Sequence, residues 1–162
     1  MTKSAIVADS GPLISLAIIG QLDLLRQLYK HVLVPPAVWD EVTVKGQGMP
    51  GAHAVSQLTW LEILKPEPQV LRPLSILVDP GEAEAIALAQ TVENSIVLLD
   101  DSQARRVAER FHIPRIGTLG ILRKAKKQDL LTAIRPHIES LKSNGIYMAD
   151  NLVAAILNDV GE

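Results

Sequence analysis

The sequence predicts an α/β fold with a parallel sheet covered by helices on both faces. Short runs that are apolar at every position, such as Ala5-Ile6-Val7-Ala8 and Ile96-Val97-Leu98-Leu99, recur between stretches of helical periodicity. Because these runs do not alternate polar with apolar, their strands are buried on both sides, as in a sheet between two helical layers. Apolar residues make up 48% of the 162, enough for one domain with a substantial core.

Residues 5–9 read as the first strand, stopped by Ser10-Gly11-Pro12. Leu13, Leu16 and Ala17, then Leu22, Leu25 and Leu28, carry helical spacing. Val32–Val34 is a second strand, and Pro35-Pro36 opens a helix through about Thr43, proline being tolerated in a first turn. Residues 45–60 read as loop and then weak helix, and Leu61–Leu64 as another strand. Pro66, Pro68 and Pro73 predict an irregular connection, followed by a helix over Asp79–Val92. Ile96–Leu99 is a buried strand, Ser102–Phe111 a helix, and Pro114–Ile116 a short strand leading to a helix at 118–127. Two further helices are predicted near 130–142 and 149–158. With no internal repeat, low-complexity tract or linker, residues 1–162 form a single domain on this reading.

Composition excludes several function classes. There is no Cys, hence no disulfide and no thiolate metal site. Aromatics are only 3%, which argues against a surface of stacking platforms for single-stranded bases. The apolar start is interrupted by Asp9, Gly11 and Pro12, and no stretch is long enough to span a bilayer. The expectation is a cytoplasmic protein with no membrane partner. Net charge is −2, but eight of the sixteen Lys and Arg fall between 105 and 127, where the one acid is Glu109. Such a cluster suits a polyanion; it also suits two solvated helix faces.

Four acidic stretches carry the chemistry. Asp9 ends the first strand, where open α/β sheets bind ligands, or it caps the helix that follows. Glu41 lies inside a helix beside Asp40, with Trp39 and Val42 facing the core, and from spacing alone its commonplace reading is a surface acid. Glu82 stands third after Asp79 in Asp79-Pro80-Gly81-Glu82, the pattern of a capping box. Glu84 is about 200° further round that helix, so the two glutamates do not serve one site. Asp100 and Asp101 end a strongly apolar strand, and one of the pair is free to cap the helix from Ser102 while Arg105 or Arg106 neutralises them or meets a phosphate. Carboxylates gathered at one rim repel unless a hard cation sits between them, which makes a divalent-metal site the leading idea.

Other signals fall away. Gly46-Gln-Gly48-Met-Pro-Gly51 spells a dinucleotide-binding pattern, yet it follows a helix rather than a strand and contains Pro50. His31, His53, His112 and His137 form no metal-ligand spacing, and no phosphate-binding loop, nucleophile elbow or zincin motif is present. Asp9 lacks a second Asp two positions on, so an aspartate-nucleophile phosphatase fits poorly.

Taken in order, the Asp9-Ser10 after strand one, V-P-P-x-V-x-x-E-V, G-E-A-E-A-I-A-L-A and L-L-D-D-x-x-A-R-R-V-A resemble a PIN-domain protein. The chain is closer still to an uncharacterised prokaryotic PIN-like family, similar to VapC-type toxins, through Gly117–Lys126 (G-T-L-G-I-L-x-x-A-K) and Gly161-Glu162. The resemblance covers nearly the whole chain. It implies the three-layer five-prime-nuclease-like fold, with an acidic pocket holding Mg²⁺ or Mn²⁺. It implies Asp9, Glu41, Glu82 and Asp100 as the catalytic acids, with Asp9, Glu82, Asp100 and Asp101 as metal ligands and Ser10 in support. Leu98-Leu99-Asp100-Asp101 stands where many toxins have Thr-x-Asp, leaving open which Asp binds metal. RNA is the implied substrate, with Arg105, Arg106, Arg123 and Lys124 as its contacts. An antitoxin protein and a second copy of the chain are the implied partners, dimerisation being helped by an apolar excess. The expected activity is metal-dependent hydrolysis of RNA. A non-catalytic nucleic-acid-binding or regulatory PIN-like module is the alternative, and a small phosphotransfer domain a third.

Overall fold

A computed structural model of the chain describes residues 3–162. Strand β1 (Ala5–Ala8) is followed by helices α1 (Ser10–Ile18) and α2 (Asp23–Leu28), then strand β2 (His31–Val34). Helix α3 (Pro36–Trp39) continues as a π-helical turn over Asp40–Lys45, and short helix α4 (Ala52–Ser56) precedes strand β3 (Leu61–Ile63). Helices α5 (Pro68–Leu74) and α6 (Pro80–Thr91) lead to strand β4 (Ser95–Leu98). Helix α7 (Ser102–Arg110), strand β5 (Arg115–Ile116) and helices α8 (Thr118–Lys127), α9 (Arg135–Ser143) and α10 (Asp150–Asp159) complete the chain.

The five strands form one all-parallel sheet in the order β3-β2-β1-β4-β5. This is the expected PIN-like α/β architecture. β1 is central, paired from Ala5↔Ser95 to Ala8↔Leu98 with β4 and from Ala5↔His31 to Val7↔Leu33 with β2. Its residues divide between two cores, which is why it reads as apolar throughout. Ile6 and Ala8 pack with α1, α2 and α8 to α10, whereas Ala5 and Val7 pack with α5, α6 and α7. Each fully buried Ile, Leu or Val contributes about 1.5–3 kcal/mol, so both faces of the central strand stabilise the sheet. Chain order reverses between β1 and β4, creating a crevice beyond their carboxyl ends.

Three local departures from the sequence reading have physical reasons. The proline-rich segment expected to be irregular forms α5: Pro68 occupies its first turn, where no N–H is needed, and Pro73 comes only at its end. The helix expected from about 130 starts at Arg135. Asp129 takes φ 60°, and the Leu130 N–H bonds back to the Ala125 carbonyl at 2.9 Å, a Schellman ending that stops α8. The helix expected to run to about Thr43 widens into π geometry, burying Val42 while Trp39 stays half-buried.

The C-terminus locks one layer. Gly161, at φ 81°, ends α10 and turns Glu162 back so that its N–H meets the Leu157 carbonyl at 2.7 Å. The Glu162 carboxylate then accepts from the Ile134 N–H (2.8 Å), the Arg135 N–H (3.1 Å) and Lys126 Nζ (2.9 Å). It therefore caps α9 and holds α8, α9 and α10 together.

Candidate active site

The first acid sits where the sheet topology predicts a ligand. Asp9 directly follows β1, its N–H bonds to the Leu98 carbonyl at 3.1 Å, and the residue is only 5% exposed. It occupies the N-cap position of α1, yet its side chain makes no capping bond. Among the described residues its Oδ1 is the one buried side-chain polar atom with no hydrogen-bond partner. An unsatisfied buried carboxylate is costly, and such a group calls for a reason. Burial, the largest cause, pushes Asp9 up to about 7, aided by the charges of Asp79, Glu41 and Asp100 and opposed by the Ser10 backbone N–H.

Glu41 reaches the same crevice from the π-helical turn, where Ser10 Oγ donates to its Oε1 at 2.9 Å. Between Asp9 and Glu41 stands Gly81 in the first turn of α6. A Cβ there would lie 3.0 Å from Glu41 Oε2 and 3.6 Å from Asp9 Oδ1. The missing side chain leaves the space that the two carboxylates share. Sequence reading missed Gly81; the available signal was a glycine in a helical first turn that requires no left-handed residue.

The other acids are held differently. Asp100 accepts from the Thr118 N–H at 2.8 Å and from Thr118 Oγ1 at 2.5 Å, so the start of α8 fixes its orientation. Thr118 was also missed, although a Thr at a helix start beside an acidic strand end is a visible pairing. Asp101 caps α7 by accepting from the Ala104 N–H at 2.9 Å. Glu82 completes a capping box with Asp79, with bonds of 2.9 and 3.3 Å. Glu82 is nevertheless pushed up to about 7, first by burial and then by Asp79, Asp9 and Asp101, so it feels the crevice. Glu84 turns away and caps α3 through the Ala37 N–H at 3.0 Å.

The basic residues divide as well. Arg105 is half-buried beside Asp100 and donates to the Leu99 carbonyl at 2.8 Å; burial lowers its pKa, the nearby Arg115 adds to that, and Asp100 opposes it. Arg106 is exposed and, among the described residues, has no ion pair. Arg123 is instead bonded to Asp159, which also meets Lys127. Lys124 lies 4.7 Å above the Tyr29 ring. Both stand on α8 one to two turns beyond Thr118, tied to partners away from the crevice.

A family model for the PIN domain matches residues 5–162. The chain belongs to the PIN-domain family. PIN domains are nuclease-type modules that typically use divalent cations. No curated protein matches the chain.

Among the described residues no three His, Asp or Glu side chains are arranged to hold an ion alone. The donors nonetheless fit a hard divalent cation. They are all oxygens, Asp9 Oδ1 lacks any partner, and Gly81 leaves space beside it. Mg²⁺-like ions are commonly bound by one or two carboxylates plus water and substrate phosphates, not by a complete protein cage. Among the described residues no helix is long and apolar enough to cross a membrane.

Proposed function

We propose that this PIN domain is a metal-dependent endoribonuclease whose cation, Mg²⁺ or Mn²⁺, is held by Asp9 and Glu41 with Asp100 beside them. The observation that carries this reading is the partnerless Asp9 oxygen, buried at the sheet's switch point and facing Glu41 across Gly81. When bound, the cation would lower the pKa of a coordinated water and polarise the scissile phosphate. Ser10 orients Glu41 by its hydrogen bond, and Thr118 fixes Asp100 by two. Glu82, in the first turn of α6 beside Gly81, adds negative charge at the crevice, where burial and the acids Asp79, Asp9 and Asp101 raise its pKa in the metal-free protein. Arg105 offsets negative charge beside Asp100. On this reading Asp101 acts chiefly as a helix cap.

The alternative, a non-catalytic module, rests on the structural duties that Glu82 and Asp101 already perform. End-labelled single-stranded RNA with Mg²⁺ or Mn²⁺ separates the two. Cleavage by wild type that is lost in Asp9→Asn and Asp100→Asn supports the nuclease. Metal-independent binding without cleavage supports the module. For the toxin role implied by the resemblance, induced expression should arrest growth and Asp9→Asn should relieve it; growth unaffected by the wild-type protein would refute that role.

A further inference from the structure

Beside Asp100 a groove of about 700 Å³ runs between the start of α8 and the segment joining α9 to α10. The elements that line it differ chemically. The half contributed by α7 and β5 carries Arg105, Arg106 and Arg115, and the acid there, Glu109, is already paired with Arg115 at 3.4 Å. The half contributed by α10 and the segment before it carries Tyr147, Met148 and Leu152 with Ile146 and Ile156. Tyr147 is 88% exposed and Leu152 49%, so this apolar half is open. The chain has only five aromatic residues, two Trp, two Tyr and one Phe, and among the described residues Tyr147 is the one that is largely exposed. Scarce aromatics exclude a broad stacking surface, but one ring placed in a cationic groove is a different object.

We propose that this groove is a nucleotide subsite, in which Arg106 meets a backbone phosphate and Tyr147 stacks on the base of an unpaired nucleotide next to the one being cleaved. Charge complementarity selects this occupant. A flat apolar base joined to an anionic phosphate matches both halves, whereas an apolar protein segment leaves Arg106 without a counter-charge. Continuity points the same way, because Asp100 belongs to the groove and to the acidic crevice alike. The preferred substrate is therefore single-stranded, since a paired base cannot enter. Stacking reads a π-face rather than a base edge, so the subsite discriminates little among bases. The proposal rests on the nuclease reading for its place beside the scissile bond, but its binding step requires no metal.

The test is fluorescence anisotropy with a labelled single-stranded hexauridylate and with its abasic ribose-phosphate counterpart, both in EDTA. Base–aromatic stacking of about 1–3 kcal/mol corresponds to roughly 5- to 150-fold weaker hexauridylate binding by Tyr147→Ala. The abasic chain should bind wild type and Tyr147→Ala alike. Arg106→Ala should weaken both ligands and reduce the salt slope by about 0.7, the share of one phosphate contact on a single strand. Tyr147 is exposed, so its replacement leaves the fold intact, checked by an unchanged melting curve. Hexauridylate binding that is absent, or equal in wild type and Tyr147→Ala, overturns the subsite and leaves an apolar protein segment as the groove's occupant. An equal loss for both ligands also overturns it. Failure of the nuclease reading looks different: no metal-dependent cleavage, with Tyr147-dependent binding retained.

Discussion

Asp9 and Glu162 are both carboxylates withdrawn from water, the first 5% exposed as a residue and the second 12% as a side chain, yet they titrate in opposite directions. Glu162 has three donors, two of them backbone N–H groups at the start of α9. The Ile134 N–H most of all, with Lys126 and the Arg135 N–H, holds it down at about 2 against the opposing effect of burial. Asp9 has one oxygen with no donor, and burial among other acids holds it up at about 7. Burial raises both, far more for the enclosed Asp9 than for the partly covered Glu162. The donors are the second difference, and they set the sign at Glu162. Where the chain supplies them, the carboxylate builds structure; where it withholds one from a buried acid, the cost calls for a reason, and a bound cation is the one proposed.

The comparison breaks first, and most visibly, in activity. Asp9→Asn keeps the shape of the side chain and should reduce metal-dependent RNA cleavage by at least about 100-fold, the scale of several kcal/mol of lost charge stabilisation. Glu162→Ala, far from the crevice, should change stability instead. Two backbone N–H groups and Lys126 lose their acceptor, a cost of about 2–3 kcal/mol read by urea denaturation. A Glu162→Ala protein as stable as wild type would remove the structural half of the contrast.

The metal-free protein offers a finer probe through pH. Asp9 has a folded pKa above its unfolded value, so the folded state binds more protons between about 4 and 7 and stability falls as pH rises through that window. Glu162 has a folded pKa below its unfolded value, so its contribution is present above about 4.5 and is lost as pH falls toward about 2. Asp9→Asn should reduce the first slope, leaving the share that Glu82 contributes, and stabilise the metal-free protein above pH 7 by about 1–3 kcal/mol. Melting curves in EDTA across the range check both signs. Smallest of all, Asp101→Ala should cost about 1 kcal/mol as a lost cap, with cleavage reduced far less than in Asp9→Asn. An Asp101→Ala variant as inactive as Asp9→Asn would return Asp101 to the metal site.

The same contrast marks what could be read from the residues alone. β1 and β4 were legible because two helical layers bury them and leave uniformly apolar runs. The Asp79–Glu82 box was legible because a cap is a local pattern four residues long. Glu41 was not legible from spacing, since it meets Ser10, 31 residues earlier, from a π-helical turn that the helical pattern does not reveal. Gly81, Thr118 and the task of Glu162 were hidden for a related reason. Each acts on residues between 18 and 72 positions away, a separation no local pattern records. Arg123 and Lys124 looked free in a cationic window, yet Asp159 and Tyr29 claim them.

The central claim is that Asp9 Oδ1 lacks a donor because a cation takes its place. Its most direct test is the melting temperature at roughly pH 8, with and without Mg²⁺ or Mn²⁺. Binding at a hundred times the dissociation constant adds about 2.7 kcal/mol, or roughly 5–10 °C for a chain of this size. Wild type should show that rise and Asp9→Asn should show none. A wild-type curve that the metal leaves unmoved, or an equal rise in Asp9→Asn, would contradict the account.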